Sequence, residues 1–329
     1  MSQQVIEWLL EEENPSVRYF TLTSLLAYPQ DDPIVIHTRH AIMEYGVVPK
    51  ILSKQNEDGS WGISEKFYTD KYRGTVWSLL LLAELGADPK HAQIKKACEF
   101  ILDHSQCCEN GGFSYIQSAK TKHGLPSGVI PCLSGNMIYA LIKLGYLDDP
   151  RVLSGIEWIT SFQRADDGDQ PRPKGEMYDR FVTCFGRHSC HMGVAKALKA
   201  LSMIPEEKIS VETKTKRDQL VEYFLIHHLY KKSHQTDEIS RPGWLRFGFP
   251  LMYQTDVLEL SEIMANLRIK DLRLNEALQV IRDKQNNEGK WDLENTFNGK
   301  TLVSIEKKGV VSKWITLKAL HVLKTYDES

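Results

Sequence analysis

Hydrophobic residues recur along this chain at helical spacing, in blocks that glycine or proline brings to an end. The block 74–86 (Gly-Thr-Val-Trp-Ser-Leu-Leu-Leu-Leu-Ala-Glu-Leu-Gly) is apolar on most sides, which predicts a buried helix. The next block, which runs to Leu102, is apolar on one face only and predicts a surface helix. Since alternation of β-branched residues is confined to short stretches such as 301–306, the pattern predicts an all-α fold.

This pair of an apolar helix and an amphipathic helix is repeated along the chain. The apolar members are predicted at 17–26, 74–86, 132–145, 190–201, 255–267 and 313–323. The last of them has no amphipathic partner after it, and the segment 3–10 is expected to supply one. Six such pairs predict a single domain over residues 1–329 that closes into an α6/α6 toroid, a barrel of six helical hairpins with the apolar helices inside. An open solenoid is the alternative, but it would need polar capping repeats.

A short phrase lies between successive pairs. It begins at Gln55 (Gln-Asn-Glu-Asp-Gly-Ser-Trp) and returns at Gln106, Gln163 and Gln285. The starts are 51, 57 and 122 residues apart, and because 122 is twice 61 we expect a decayed copy within 228–244. The glycine after an acidic residue is expected to make a turn, the glutamine to bind backbone at a helix end, and the aromatic residue to pack on the neighbouring hairpin.

The charge and the cysteine content exclude several classes of protein. A formal net charge of -2 gives no electrostatic reason to expect nucleic acid or an anionic membrane as a partner. The first residues show no signal peptide, and no apolar run approaches the roughly 20 residues that span a bilayer. The six cysteines are expected to be reduced thiols or metal ligands rather than disulfides, and a cytoplasmic location is expected.

In a closed ring of hairpins all inner helices start at the same end, here called the mouth, where the helix dipoles present partial positive charge. The side chains that the alignment of the apolar helices predicts at the mouth are Arg18, Arg73, Trp77, Cys132, Asn136, His188, Cys190, His191, Asp256, Lys313 and Trp314. Packing alone would fill such positions with aliphatic residues, so this set indicates a site.

Two groups within this region carry candidate chemistry. The candidate metal ligands are Cys132, Cys184, His188, Cys190 and His191, a set that suits zinc in a tetrahedral shell. The candidate substrate-binding residues are Trp77, Asn136, Tyr139, Trp244, Phe249, Tyr253 and Trp314, because aromatic ring faces stabilise cations. The alternatives stay open: the cysteines and aromatic residues could be core, and the histidines could cap helices. No nucleotide cofactor is indicated.

The Gln-x3-Gly-x-Trp phrase at this period resembles the QW repeat of the terpenoid cyclase and protein prenyltransferase superfamily. The resemblance extends over nearly the whole chain through the repeats, and it implies an α6/α6 toroid with an isoprenoid or other apolar substrate in an apolar barrel. The chain is long enough for one barrel, as in the β subunits of protein prenyltransferases, whereas squalene and oxidosqualene cyclases carry two. Those β subunits need an α subunit, so an oligomer or a partner subunit is a further implication.

The likeness to prenyltransferases implies zinc-assisted alkylation of a thiol-bearing peptide. Their zinc is held by an Asp and a Cys from one inner helix and a His from the next, and Cys132 and His188 fall near the last two positions. The Asp position is occupied by Ile130, so a metal would need another ligand, such as Cys190, His191 or Asp256.

The likeness to the cyclases implies protonation of an alkene by the middle Asp of an Asp-x-Asp-Asp motif. Asp256 stands at an inner-helix start without the other acids, and no Asp-Asp-x-x-Asp motif for a magnesium-diphosphate cluster is present. Lys313 begins the neighbouring inner helix, and we expect it to keep Asp256 ionised and to suit an anionic substrate group. Asp256, Lys313 and Arg73 are the predicted catalytic residues.

Two further functions stay open. The lanthionine cyclases, another α/α toroid family, bind zinc through two Cys and one His, and Ser189-Cys-His-Met-Gly193 is similar to their Cys-His-Gly sequence. Those enzymes lack the QW spacing. A toroid that binds a lipid or a peptide without turnover is the non-enzymatic alternative.

Overall fold

A computed structural model describes residues 2–327, which are mostly helical, as predicted. The helices, in chain order, are α1 Gln3–Leu9, α2 Pro15–Phe20, α3 Pro33–Glu44, α4 Val48–Leu52, α5 Thr75–Glu84, α6 Ala92–His104, α7 Pro131–Lys143, α8 Pro150–Phe162, α9 Glu176–Arg180, α10 His191–Leu201, α11 Val211–Ile226, α12 Val257–Asn266, α13 Asn275–Asp283 and α14 Lys313–Asp327. Short 3-10 turns lie at Ser64–Lys66, Pro126–Gly128, Pro242–Leu245 and Leu272–Leu274, and π-helical turns at Thr21–Leu25 and Val182–Gly186. Within residues 2–327, no helix is both long and apolar enough to cross a membrane.

The apolar helices contact one another in succession. Helix α5 packs on α7, α7 on α10, α10 on α12 and α12 on α14, and α14 in turn contacts α2 and the turn after it. Helices α6, α8, α11 and α13 pack on α5, α7, α10 and α12 respectively. All ten residues of α5 are buried, whereas α6 buries one face. The predicted alternation of a buried and a surface helix therefore holds in these pairs.

The first helix lies against the last phrase of the chain. The Lys313 ammonium forms an ion pair with Glu11, which follows α1, and the Lys290 ammonium lies 4.7 Å from the ring centroid of Trp8. The first helix therefore lies beside the start of α14 and the phrase that precedes it.

The recurring phrase makes the turn and the packing contacts expected of it. The side-chain amide of Gln55 donates to the carbonyl oxygens of Gly59 and Gln93, both at 2.9 Å. Gly59 has a φ of +91°, and a Cβ at this position would lie 2.6 Å from the carbonyl oxygen of Lys96, so only glycine fits. The indole of Trp61 is fully buried and donates to the carbonyl oxygen of Ile51 at 2.9 Å. These contacts assign the phrase a structural role.

The segment expected to hold a decayed phrase contains a small sheet instead. Strands β1 (Lys231–Lys232) and β2 (Gln235–Ile239) form an antiparallel hairpin, which is the whole of the sheet within the described residues. The phrase turn does not form here because 231–240 is polar and has no glycine. The other phrases have a glycine with a left-handed backbone conformation at this turn.

The space between the apolar helices contains charge, which corrects the expectation of an apolar barrel. We define the interior ion network as Glu84, Lys196, Lys199 and Glu259, all of them buried. The Lys196 ammonium lies 2.7 and 2.9 Å from the two carboxylate oxygens of Glu259, and Lys199 lies 2.9 Å from one of them and also pairs with Glu84. These side chains come from α5, α10 and α12, so the network links three helices.

Candidate functional site

Aromatic rings converge beside the start of α5. We define the aromatic cluster as Tyr68, Tyr72, Trp77, Tyr253 and Phe297. The ring centroid of Tyr72 lies 5.1 Å from that of Trp77 and 4.4 Å from that of Phe297, distances at which aromatic pairs attract one another. Trp77 is fixed in the first turn of α5 because its indole N–H donates to the carbonyl oxygen of Tyr68 at 2.9 Å. The cluster thus joins one helix start to residues far away in the sequence.

A positive charge already lies against this cluster. The Lys71 ammonium is 4.7 Å from the ring centroid of Tyr253, 4.9 Å from that of Tyr68 and 5.7 Å from that of Trp77. A cation within about 6 Å of a ring centroid is attracted by the negative face of the ring. Three ring faces therefore act together on one ammonium group, that of Lys71, which occupies the point where they converge.

Three thiols lie close together near the cluster. Cys132 is in the first turn of α7, Cys190 directly precedes α10, and Cys184 lies in the π-helical turn between them. Burial, with the added effect of Cys190 and Cys184, raises the pKa of Cys132 to about 12. Burial likewise raises the pKa of Cys184. Cys132 is therefore a neutral thiol at pH 7.

The histidines do not complete a ligand set with these thiols. The Nε2 atom of His191 lies 3.2 Å from the carbonyl oxygen of Leu229, which can only accept, so Nε2 carries the proton. The Nδ1 atom lies 3.3 Å from the hydroxyl of Tyr223, which leaves this ring no free lone pair for a metal. His188 has its Nδ1 atom 2.9 Å from the carbonyl oxygen of Ser189. Within residues 2–327, no group of three or more His, Cys, Asp or Glu side chains is arranged to hold a metal ion.

Zinc binding consequently stays a prediction from the sequence, and as arranged these side chains do not fit it. If the thiols are ligands, the protein purified under reducing conditions should contain about one zinc per chain by elemental analysis. Cys132→Ser and Cys190→Ser should then both lose it. A metal-free protein whose two variants keep wild-type stability would leave the cysteines as packing residues.

A second polar site lies beyond the thiols; it includes the predicted residues Cys190, His191 and Trp244, together with an Asp167–His227 pair that was not predicted. We call it the histidine cavity; it has a volume of about 360 Å³, and its lining includes Asp167, Cys190, His191, His227, Arg241 and Trp244. The Nε2 atom of His227 lies 3.1 Å from the Asp167 carboxylate. Although burial disfavours the ionised form, hydrogen bonds with His227 and Ser233 hold the pKa of Asp167 at about 2. No local pattern signals this pair, because Asp167 belongs to a phrase turn and His227 to a helix end.

Asp256 caps α12 rather than facing an open cavity. Its two carboxylate oxygens accept from the backbone N–H groups of Gly248 and Glu259, at 2.9 and 2.8 Å. The residue is only 2% exposed, and burial raises its pKa to about 7. Both oxygens are thus used by the fold, as expected for an N-cap aspartate.

The other two predicted catalytic residues have different surroundings. Lys313 pairs with Glu11 and not with Asp256, so the expected ion pair between Lys313 and Asp256 is absent from the described residues. Arg73 is exposed. The structure therefore gives Asp256, Lys313 and Arg73 three separate environments.

Five predicted substrate-binding residues lie away from the aromatic cluster, and one of them, Trp244, lines the histidine cavity. The amide of Asn136 is buried and donates to the carbonyl oxygen of Met252 at 3.0 Å. The ring centroid of Tyr139 lies 4.2 Å from the Lys199 ammonium, beside the interior ion network. Phe249 and Trp314 stack on each other, with centroids 4.2 Å apart and planes at 12°. Of the aromatic residues predicted to bind substrate, only Trp77 and Tyr253 belong to the cluster.

Comparisons with known proteins give distant likenesses only. No family model matches the chain, and no curated protein matches it. Among solved structures, a protein from Actinoplanes is 13% identical with a TM-score of 0.45, over 95% of this chain and 90% of that one. The type II terpene cyclase MstE from Scytonema is 14% identical with a TM-score of 0.44, over 96% and 88% of the two chains. A variant of MstE in complex with geranylgeranyl dihydroxybenzoate, named as its substrate, has the same identity and TM-score. At these scores the likeness does not assign the chain to a family.

Proposed function

We propose that the chain closes into an α6/α6 toroid of six helical hairpins. The succession of contacts from α5 through α7, α10, α12 and α14 to α2 supports this closure. The position of α1 against the last phrase supports it further, because α1 then supplies the sixth outer helix. In such a ring the starts of the inner helices share one mouth, and Trp77 and Cys132 lie in two of those first turns.

We propose that the aromatic cluster binds an isoprenoid or other apolar molecule, as the terpenoid cyclase and prenyltransferase resemblance implies. The observation that carries this proposal is the convergence of Tyr68, Trp77 and Tyr253 on the Lys71 ammonium. Once the Lys71 ammonium is displaced from these rings, their faces would stabilise the positive charge that develops on an isoprenoid during ionisation or cyclisation. The Cys132 thiol nearby would contribute contact to the substrate rather than a nucleophile, because it is neutral and only a thiolate is readily alkylated.

Binding without turnover is the second candidate, and the surroundings of Asp256 favour it. A protonating acid must present its proton to the substrate, but both oxygens of Asp256 accept backbone hydrogen bonds. The interior ion network also replaces apolar surface that a long polyene would need. A toroid that binds a lipid or a peptide, alone or with a partner subunit, would not need a carboxyl group that is free to protonate the ligand. It would also not need an apolar cavity that extends through the barrel.

Incubation with a panel of prenyl diphosphates and squalene-like polyenes tests both candidates. We expect saturable binding, and Tyr253→Ala should weaken it about ten-fold because an aromatic face is lost from the cluster. Tyr28→Ala is the matched control, since Tyr28 is 42% exposed and lies outside the cluster. Products identified by mass spectrometry would establish an enzyme, whereas binding without products would establish the second candidate. Absence of binding across the panel would contradict the proposal.

A further inference from the structure

A second cavity lies between the ends of α5, α7, α10 and α12 and the first half of α14. Its volume is about 370 Å³, which is within the range of small-molecule sites, and its lining includes Phe20, Lys143, Ile204, Ile263, Trp314 and Lys318. It shares no lining residue with the aromatic cluster. Phe20, Ile204 and Ile263 supply apolar wall, while charged side chains from α5, α7, α10, α12 and α14 supply the polar part.

The charges around this cavity leave one ammonium without a carboxylate. Lys199 pairs with Glu84 and Glu259, and Lys318 pairs with Glu262 at 2.5 Å. The ammonium of Lys143 has neither a hydrogen bond nor an ion pair among the described residues, and it lies 5.1 Å from the ring centroid of Phe20. Burial lowers the pKa of Lys143, and the residue is half-buried in the wall of the cavity.

A second donor at the same cavity also lacks a partner. Trp314 is 3% exposed, and its indole N–H is buried without an acceptor among the described residues. Stacking on Phe249 fixes the indole in place. Buried donors in folded proteins are normally paired, so the unpaired indole N–H of Trp314, with the half-buried Lys143 ammonium at the same cavity, indicates that an acceptor binds there.

We propose that this cavity binds the carboxylate of a small amphipathic monoanion, which accepts from Lys143 and Trp314 and lays its apolar body on Phe20, Ile204 and Ile263. A single negative charge matches the single unpaired cation. A dianion such as a phosphate monoester would face Glu84 and Glu262, which line the same cavity. The site is separate from the aromatic cluster and does not depend on the function proposed for it.

Isothermal titration calorimetry of the full chain with decanoate tests this site. We expect one saturable site, and Lys143→Met should weaken decanoate binding about ten-fold or more because a charge-assisted hydrogen bond is lost. Lys143→Arg should retain most of the affinity, because it keeps the charge. Lys120→Met removes a comparable but exposed lysine outside the cavity, and it should leave decanoate binding unchanged.

Two further comparisons keep the test independent of the folding of Lys143→Met. Trp314→Phe keeps a ring to stack on Phe249 but removes the N–H donor, and it should weaken decanoate binding about three-fold or more. With the wild-type protein, 1-decanol and decyl phosphate should both bind more weakly than decanoate. The proposal is overturned if decanoate does not bind, if Lys143→Met binds it as tightly as wild type, or if either comparison ligand binds as well.

Discussion

Replacing Glu259 by glutamine is expected to lower the free energy of unfolding by about 3–5 kcal/mol. The Glu259 carboxylate accepts from the ammonium groups of Lys196 and Lys199, and all three side chains are buried. Glutamine keeps the shape of the side chain but leaves two buried cations with Glu84 as their one remaining partner in the network. A buried charge that has lost both its hydration and its partner is strongly destabilising.

Urea unfolding of the wild type and of Glu259→Gln at pH 7 measures this difference. The matched control is Asp148→Asn, because the Asp148 carboxylate pairs with Lys208 at the surface and is 79% exposed. That change should lower stability by less than about 1 kcal/mol. Equal losses in the two variants would show that the interior ion network contributes no more than a surface pair.

The same difference should depend on pH. Burial alone would raise the pKa of Glu84, but the ammonium groups of Lys199 and Lys318 outweigh it and hold this pKa at about 2, below the ordinary 4.5. Lys196 and Lys199 likewise outweigh burial and hold the pKa of Glu259 far below its ordinary value. Because these pKa values are depressed by folding, the stabilisation is complete above about pH 4.5 and is lost as the pH falls toward 2. The stability of wild type should approach that of Glu259→Gln over this window.

Replacing Trp61 by alanine is also expected to remove about 3–5 kcal/mol of stability. The side chain is fully buried between α4 and α5, so its loss leaves a cavity. Its indole N–H satisfies the carbonyl oxygen of Ile51, and its backbone N–H donates to the hydroxyl of Thr75 at 3.1 Å. The residue therefore ties the end of one hairpin to the start of the next inner helix.

Thermal and urea unfolding of three variants separate packing from hydrogen bonding. Trp61→Phe keeps part of the volume but leaves the Ile51 carbonyl unpaired, and it should lose about half as much stability as Trp61→Ala. Trp8→Ala is the control, because Trp8 is only partly buried and lies beside Lys290 and Lys313. If Trp8→Ala lowers the free energy of unfolding as much as Trp61→Ala does, the stabilisation by Trp61 does not come from its burial.

The helices and the phrase could be predicted from the sequence because both depend on neighbours along the chain. The block 74–86 is apolar on most sides, so its composition alone predicts a buried helix. The structure places α5 within this block. The turn at Gly59 follows from the need for a positive φ. The hairpin within 228–244 could not be predicted, because its strands are short and polar and lack the alternation of a half-buried strand.

The polar sites could not be predicted, because their members meet only when distant helices pack. Lys196 and Glu259 each lie in a mostly apolar block. The sequence around either residue does not indicate which opposite charge it will pair with. The same holds for Asp167 and His227, which belong to different repeats. The cysteines were found because Cys184 and Cys190 are close in the sequence, but the ring of His191 is directed to Tyr223 and Leu229 by contacts that no local pattern contains.

The contact between α1 and the last phrase has a consequence for how the protein unfolds. In a linear array of repeats a terminal repeat can fray alone, because it has one neighbour only. Here Glu11 and Trp8 are held by Lys313 and Lys290, so loss of the first helix also exposes the start of the last. Unfolding of α1 thus breaks contacts with the last phrase and the start of α14, and unfolding of those segments breaks contacts with α1. We therefore expect one cooperative unfolding transition rather than unfolding repeat by repeat.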